Sequence, residues 1–354
     1  MYSGQLNRKR HVYPSLAWLM ALVVLLVAVG LSLVLFFVRA PYQGYTGEDV
    51  VVSIAPRTPS MTIFALLESK GVLRDARLGM VALKIFHRGK TLKAGEYRFS
   101  GARTPEQVVL SLVAGDVVTY RIPVPEGFTA EEVFTLFSSQ GFSTLRDFQS
   151  LFPKPGEFDG LPKEASTLEG FLFPDTLTIT RSMGAREILG AMTRQFSRRL
   201  PEGFEKNARA QGMSVLEATT LASLVEKETA IAAERPIVAG VYRNRLRKGM
   251  LLQCDPTTIY ALKRLGIWRG SLGRSELTVD EPYNTYVKPG LPPGPICNPG
   301  IASLRAAVAP ADVPFLYFVA AGDGSHLFSA SYEEQQQNAA RYHHARRAAR
   351  AAAP

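Results

Sequence analysis

Two glutamates with a lysine between them, Glu226 and Glu228, lie in an otherwise apolar stretch of the chain, LASLVEKETA at residues 221–230. Upstream, Ser214 and Glu217 have the spacing of a capping box, which predicts that a helix begins there. In the phase set by this start, the apolar stripe of the helix consists of Ala218, Leu221, Leu224 and Val225. Glu228 continues that stripe, whereas Glu226 lies about 200° away around the helix axis. The pattern therefore singles out Glu228 as the carboxyl group that faces packed side chains.

A carboxyl group in that position has two physical explanations. Burial disfavours its charged form, which raises its pKa toward the range that a general acid needs. Glu228 is then a candidate catalytic acid, with Glu226 as the fallback. Alternatively, Glu228 is a structural residue bonded to Arg243, Arg245 or backbone groups. The spacing leaves both explanations open.

Beyond this helix, the chain has loops that are dense in amide, hydroxyl and phenol side chains. They are the segments LLQCDPTTIY, EPYNTYVKPGLPPGPICNPG and FVAAGDGSHLF. A sugar needs hydrogen bonds to its hydroxyls and flat apolar faces to stack on, and loops of this composition provide both. Ordinary surface loops are similar in composition, so the residue types alone do not require a glycan.

One long apolar run occupies residues 15–38 and carries no charge over about 24 positions, when roughly 20 suffice to cross the hydrocarbon core of a bilayer. We predict an uncleaved transmembrane helix. Arg8, Lys9 and Arg10 precede it, and the positive-inside rule places residues 1–14 in the cytoplasm. The topology predicts a single-pass protein of the cell inner membrane, whose main part is periplasmic or extracytoplasmic.

The formal net charge of +10 is interpreted in the light of this topology. A basic protein outside the cytoplasm meets anionic envelope polymers and lipid headgroups. Its basic residues are dispersed along the chain, which argues against a membrane-tethered nucleic-acid binder. The Ala- and Arg-rich tail at residues 339–354 is either a solvated helix or a segment that binds a surface.

Residues 50–118 have the pattern of a small α+β module. The run VVSIAP predicts a strand, a helix closed by Gly71 follows, and a second strand is expected around residues 97–99. The next helix is predicted to begin after Thr104 and to stop at Gly115. The order strand, helix, helix, strand resembles a LysM module, a fold associated with N-acetylglucosamine polymers.

Part of this pattern recurs further along the chain. IFALLESKGV at residues 63–72 and VFTLFSSQGF at residues 133–142 share Phe, Leu, Ser and Gly at matching places, each after a strand-like run. We therefore expect two related strand-helix units. The predicted fold class is α+β: a transmembrane helix, a LysM-like module and a catalytic domain at residues 119–338.

Several motifs occur in an order that resembles one family of bacterial cell-wall enzymes. They are LKAGEYRF, FLFPDT, LVEKETA, ERPIVAGVYRNRL, MLLQCDPT, YNTY, GLPPGPI and NPG. The chain is similar in these motifs to the endolytic murein transglycosylases, the YceG-like family. The resemblance implies a membrane-anchored lyase that cleaves nascent peptidoglycan strands between N-acetylmuramic acid and N-acetylglucosamine and leaves 1,6-anhydro ends. It also implies that cleavage terminates glycan elongation, beside penicillin-binding synthases and the elongation or division machinery.

The resemblance implies roles for particular residues. Related lytic transglycosylases carry the acid as a Glu followed by Ser or Thr, and Glu228-Thr229 is the matching dipeptide. One carboxyl group can give its proton to the glycosidic oxygen and then take the proton of the muramyl C6 hydroxyl, which attacks C1 in place of water. By motif, the residues expected to line the glycan cleft are Thr229, Gln253, Asp255, Thr257, Tyr283, Asn284 and Tyr286. Asn284 or Tyr283 is the candidate for orienting the sugar near Glu228, and His326 either contacts substrate or packs internally.

No metal or other cofactor is expected, because the two cysteines and five histidines are few and scattered. Cys254 and Cys297 lie in loop motifs where the resemblance leads us to expect small polar residues. A disulfide between them is a hypothesis for an oxidising compartment.

Two other functions remain open at the level of sequence. One is a non-catalytic peptidoglycan-binding scaffold. The other is a lysozyme-type muramidase that uses Glu228 with a second carboxylate, for which Asp255 is the available candidate.

Overall fold

The structure is a computed structural model that describes residues 14–352, with side chains at 18–342 and 344. Helices and strands are mixed, and the strands of the described part form two-stranded antiparallel sheets. The chain divides into two compact units, one up to residue 119 with 180–182, the other covering 120–179 and the residues from 183 onward. The basic cluster Arg8–Arg10 and the side chains from residue 345 onward lie outside the described residues.

The first helix, α1, is long and apolar enough to cross a membrane. It extends over Pro14–Arg39, and the segment Trp18–Arg39 has a mean hydropathy of 3.1 with nearly all of its side chains exposed. Val38, near its end, is fully buried in the core of the first unit. The helix is compatible with a single-pass membrane anchor.

The rest of the first unit has the predicted order of strand, helix, helix, strand. Its elements are β1 (Asp49–Ile54), α2 (Ser60–Ser69), α3 (Ala76–Phe86), β2 (Gly95–Ser100) and α4 (Pro105–Ala114). The two strands pair antiparallel, with Asp49 opposite Ser100 and Ile54 opposite Gly95. Thr104 forms a capping box at the start of α4, and Gly115 ends it in the left-handed conformation that glycine adopts at least cost.

The second unit begins with the same order of elements. They are β3 (Tyr120–Pro123), α5 (Ala130–Ser139), α6 (Leu145–Leu151) and β4 (Thr176–Ile179). Again the first strand pairs antiparallel with the last, from Tyr120 opposite Ile179 to Pro123 opposite Thr176. Both segments of the sequence repeat are therefore helices that follow a strand, as predicted.

The remaining elements include one buried helix. They are α7 (Ala185–Arg199), α8 (Phe204–Ala210), α9 (Val215–Glu228), α10 (Arg235–Arg247), α11 (Asp255–Arg264), α12 (Ile301–Val308), β5 (Tyr317–Ala320), β6 (His326–Ser329) and α13 (Tyr332–Ala352). The buried helix is α9, which packs against α8, α10, α11 and α12. Ser214 and Glu217 form the predicted capping box at its start, with each backbone N–H donating to the other residue's side chain.

The expectation of a single buried stripe on α9 is wrong, because every residue from 218 to 225 is buried. The face that carries Glu226 is covered by α12, which follows some seventy positions later in the chain. Polar residues tolerate this burial because their hydroxyls donate to carbonyls of the same helix: Thr219 to Val215, Thr220 to Leu216 and Ser223 to Thr220.

Candidate active site

Glu228 is the last residue of α9, and neutral donors hold its carboxyl group. The Tyr242 hydroxyl, on α10, donates to Glu228 Oε1 at 2.6 Å, and the Cys254 thiol also hydrogen-bonds the carboxyl. Arg243 and Arg245 bond other groups: Arg243 contacts Ala311 and Asp312, and Arg245 donates to backbone carbonyls and to Gln253. The structure therefore does not support the explanation that Glu228 is a structural residue bonded to Arg243 or Arg245.

The carboxyl group of Glu228 borders a cavity of about 440 Å³. We call this the Glu228 cavity; it is lined by Glu228, Arg245, Leu252, Gln253, Asp255, Tyr286, Tyr317, Phe318, Val319, Ala320, His326, Tyr332 and Gln335. Its wall combines two carboxyl residues at helix ends, Glu228 and Asp255, with amide and phenol groups and with aromatic rings from the hairpin of β5 and β6. This is the mixture of hydrogen-bonding groups and flat apolar faces that suits a sugar.

Electrostatics favour the protonated form of Glu228. Burial raises its pKa above the ordinary value, and the negative charge of nearby Asp255 acts in the same direction. Hydrogen bonds from Cys254 and Tyr242 and the proximity of His326 oppose that shift without cancelling it. Burial also raises the pKa values of Tyr242 and Cys254 well above their usual range, so both groups keep their protons and act as donors.

Gln253, in the loop between α10 and α11, and Asp255, directly after that loop, line the Glu228 cavity. Gln253 has a φ of 51°, in the left-handed region that non-glycine residues seldom adopt, and its N–H donates to the Thr285 carbonyl at 3.1 Å. Asp255, the first residue of α11, accepts a 2.5 Å hydrogen bond from the Tyr286 hydroxyl. Of the seven residues expected to line the cleft with Glu228, the structure brings Gln253, Asp255 and Tyr286 together in the cavity.

Thr257 and Asn284 belong to the same two motifs, but they are fully buried and do not line the Glu228 cavity. Thr257 donates to the Cys254 carbonyl at 2.6 Å and its hydroxyl lies 2.8 Å from that of Thr285. Asn284 accepts from the backbone N–H of Tyr286 and donates to two carbonyls of the preceding loop. They hold the backbone that presents the cavity residues, and their contact with a glycan stays a prediction.

Thr229 and Tyr283 are also buried outside the lining of the Glu228 cavity. The Thr229 hydroxyl donates to Glu234 Oε2 at 2.9 Å. Tyr283 packs against Tyr260, with ring centroids 4.9 Å apart, and lies under the Arg264 guanidinium. Neither position matches the expected contact with a glycan in this cavity.

The fallback acid, Glu226, has a different set of partners from Glu228. It accepts hydrogen bonds from the Gly300 N–H at 3.1 Å and the Ser303 hydroxyl at 2.6 Å, at the start of α12, and it pairs with Arg235 at 3.5 Å. Its side chain is only 6% exposed and does not line the Glu228 cavity. These contacts describe a carboxylate that stabilises a helix N-terminus.

The two cysteines are buried free thiols, so the hypothesis of a disulfide between them is wrong for this structure. Cys254 contacts the carboxyl of Glu228, and the Cys297 thiol donates to the Ser223 carbonyl at 3.4 Å. Each thiol is thus fixed by its own packing environment.

Sequence reasoning missed three residues with buried polar contacts. Tyr242 was not singled out, although a tyrosine on the apolar face of a predicted helix needs a partner for its hydroxyl. Glu234 accepts from Nδ1 of His326 at 2.7 Å, and no spacing rule links them, since they are 92 positions apart. Glu169, in LEGFLFPDT, accepts from the Ala130 N–H and the Tyr260 hydroxyl, and burial raises its pKa to about 8.

Comparisons with known proteins identify the family of the chain. The model of the YceG-like family matches residues 52–341. An endolytic murein transglycosylase of Bacillus subtilis is 27% identical over 312 residues, which cover 83% of this chain and 85% of the relative. One from Streptococcus pneumoniae is 27% identical over 323 residues, covering 83% of this chain but 58% of that longer relative.

A solved structure is also similar. The crystal structure of a YceG-like protein from Listeria monocytogenes superposes with a TM-score of 0.54 at 31% identity. The match covers 82% of this chain and 99% of that one.

Proposed function

Because the chain belongs to the YceG-like family, we propose that it is an endolytic murein transglycosylase, which cleaves between N-acetylmuramic acid and N-acetylglucosamine in peptidoglycan strands and leaves 1,6-anhydro ends. The observation that carries this proposal is the environment of Glu228. Its carboxyl group lies at the end of a buried helix, borders a cavity suited to a sugar, and has a raised pKa. A group of this kind can serve as an acid and then as a base.

The hydrogen bonds suggest which oxygen carries the proton. Tyr242 donates to Oε1, and in this proposal Oε2 is the oxygen that holds the proton. Oε2 gives this proton to the glycosidic oxygen while the bond from that oxygen to C1 breaks and its electron pair stays on the leaving sugar. The muramyl C6 oxygen then bonds to C1, and its proton passes to the Glu228 carboxylate, which restores the acid. No water is consumed, so the reaction is a lyase reaction.

Substrate contacts in this proposal come from the residues that line the Glu228 cavity. Gln253, Asp255 and Tyr286 supply amide, carboxylate and phenol groups for the sugar hydroxyls. Tyr317 and Tyr332, whose ring centroids lie 6.0 Å apart, supply flat surfaces for stacking.

The apolar helix α1 supports a place for this reaction at the membrane. A single-pass inner-membrane anchor with its N-terminus in the cytoplasm would keep the Glu228 cavity on the outer side, close to newly made glycan. Cleavage there would terminate strands that penicillin-binding synthases extend. The module at residues 50–118, with its strand-helix-helix-strand order, is in this proposal a LysM-like glycan-binding unit.

The proposal is tested with the full chain in detergent and purified, un-crosslinked glycan strands. Wild type, Glu228→Gln and Glu226→Gln are incubated with the strands, and the products are identified by mass spectrometry. We expect internal cleavage with anhydro-muramyl ends from wild type and Glu226→Gln, and cleavage slower by about 10²- to 10⁴-fold from Glu228→Gln. If wild type releases no products, the non-catalytic scaffold becomes the better explanation.

A second candidate function, a lysozyme-type muramidase, is favoured by one observation: Asp255 lines the same cavity as Glu228. In that mechanism Asp255 acts as the second carboxylate and water replaces the C6 hydroxyl. The products would then carry reducing ends, and Asp255→Asn would abolish cleavage as fully as Glu228→Gln. Anhydro ends from Asp255→Asn would exclude it.

A further inference from the structure

His326 also lines the Glu228 cavity, and the buried carboxylate of Glu234 fixes the orientation of its ring. Its Nδ1 lies 2.7 Å from Glu234 Oε2, and its backbone N–H donates to Glu234 Oε1 at 2.9 Å. The side chains of the pair are 12% and 11% exposed. Glu234 thus holds both the ring and the backbone of His326 in one place.

The pair is linked to the catalytic region through two further contacts. Thr229, which follows Glu228 in the chain, donates its hydroxyl to the same oxygen of Glu234 at 2.9 Å. The ring of Phe318 packs edge-on against His326, with centroids 5.4 Å apart, and also against Tyr242, the residue that donates to Glu228. The hydrogen bond to Glu234 explains why a threonine follows Glu228, without any contact between Thr229 and substrate.

The chemistry of the ring follows from these bonds. A carboxylate only accepts, so the Nδ1 atom that faces Glu234 carries a hydrogen. In the neutral ring, Nε2 then has a lone pair, and among the described residues it accepts no hydrogen bond from the protein.

We propose that His326 positions the glycan by accepting, at Nε2, a hydrogen bond from a hydroxyl or amide N–H of the sugar bound beside Glu228, and that Glu234 is the residue that fixes the required tautomer. This inference rests on the proposed function, because it takes a glycan as the ligand of the Glu228 cavity. His326 is a substrate-binding group in this arrangement, and Glu234 acts through it.

The competing explanation is that His326 only packs in the hairpin, where Phe318 and Phe328 surround its ring. His326→Phe separates the two, because a phenyl ring keeps the aromatic packing and removes both nitrogens. Glu234 would still accept from the backbone N–H of residue 326 and from Thr229. Asp323→Asn is the matched control, since Asp323 lies in the same hairpin turn and its carboxylate accepts hydrogen bonds from Ser325.

The first experiment uses NMR to measure which ring nitrogen of His326 carries a proton and whether its resonance changes when sugar binds. The full chain with Glu228→Gln, labelled with ¹⁵N at histidine and held in detergent, is titrated with a tetrasaccharide of alternating N-acetylglucosamine and N-acetylmuramic acid. The His326 signals are assigned by their loss in His326→Gln. We expect a protonated Nδ1, an unprotonated Nε2 whose resonance shifts on binding, and loss of this tautomer in Glu234→Gln. A protonated Nε2, or an Nε2 resonance that does not move at saturating sugar, would overturn the proposal.

The second experiment uses glycan cleavage by the full chain. We expect His326→Phe to lower kcat/KM by about 10- to 100-fold with little change in thermal unfolding, because a misplaced sugar loses the aligned geometry. Glu234→Gln should show a smaller loss, and Asp323→Asn none. Wild-type rates in His326→Phe would refute this inference while leaving the proposed function intact. Absence of both cleavage by wild type and sugar binding would instead refute the proposed function, and this inference with it.

Discussion

Glutamine substitutions at Glu226 and Glu228 should have opposite effects, although the two residues are only two positions apart. Glu226 stabilises the start of α12 and pairs with Arg235, so Glu226→Gln should destabilise the fold and spare the chemistry. Glu228 is a carboxyl whose charged form is disfavoured by burial, so Glu228→Gln should spare the fold and remove the chemistry.

The cost at Glu226 can be worked from its three contacts. Losing charge at a helix N-terminus costs about 0.3–1 kcal/mol, and weakening the cap costs about 1 kcal/mol. A cation left without its buried partner costs about 3–5 kcal/mol, and Glu126 offsets part of this because its carboxyl also interacts with Arg235. These contributions overlap, so we expect a loss of about 2–4 kcal/mol, which lowers the unfolding temperature of a unit of this size by about 4–16 °C.

Glu228→Gln should not lower the free energy of unfolding, in contrast to Glu226→Gln. Because burial raises the pKa of Glu228, its contribution to the free energy of unfolding is greatest at low pH, where the carboxyl is protonated in both the folded and the unfolded state. This contribution is lost as the pH rises through the folded pKa. Glutamine cannot ionise, so at pH 7 the Glu228→Gln variant should be as stable as wild type or more stable. Its rate should fall by about 10²- to 10⁴-fold, the usual contribution of a general acid.

Two measurements on the full chain in detergent decide the matter. Thermal unfolding at pH 7 gives the stability of each variant, and the initial rate of anhydro-product release, measured well below both unfolding temperatures, gives the activity. The reasoning is refuted if Glu226→Gln abolishes cleavage at an unchanged unfolding temperature, or if Glu228→Gln lowers that temperature as much as Glu226→Gln does.

Three further predictions concern buried groups. Glu169, with its pKa raised to about 8, stabilises the fold most at acid pH, so stability should fall from about pH 4.5 to about pH 8; urea unfolding of Glu169→Gln should lack this slope. Tyr242→Phe removes a bond that lowers the pKa of Glu228, so the basic limb of the pH profile of kcat/KM should move to higher pH; an unmoved or lowered limb contradicts this. Cys254 and Cys297 should resist alkylation in the native chain and both label after denaturation without reductant, as counted by mass spectrometry; a missing label would reveal a disulfide.

The features that sequence predicted well are set by neighbours along the chain. The capping box of Ser214 fixes the start and phase of α9, and so the place of Glu228 at its end. Thr104 and Gly115 bound α4 for the same reason, since each satisfies backbone groups within one turn. The apolar run of α1 needs only length and composition.

Loop residues are harder to place because no period tells which side chain faces a ligand. In the loop before α11, Gln253 has a left-handed backbone, which breaks any alternation between buried and exposed positions. Whether Thr257 contacts substrate or backbone is decided by Thr285, which lies 28 positions away. A motif therefore identifies residues that belong to one site. Only the fold shows which of them line the Glu228 cavity and which of them support its walls.

The two glutamates of the opening motif show what helical phase can and cannot decide. Phase separates them by more than half a turn, but both sides of α9 are covered, so burial alone does not tell the acid from the structural residue. Their partners differ in charge. Glu226 meets Arg235 and the N-terminus of α12, whereas Glu228 meets the neutral donors Tyr242 and Cys254. Burial beside neutral partners favours the protonated form of Glu228, so the role of each glutamate follows from elements that are distant in sequence.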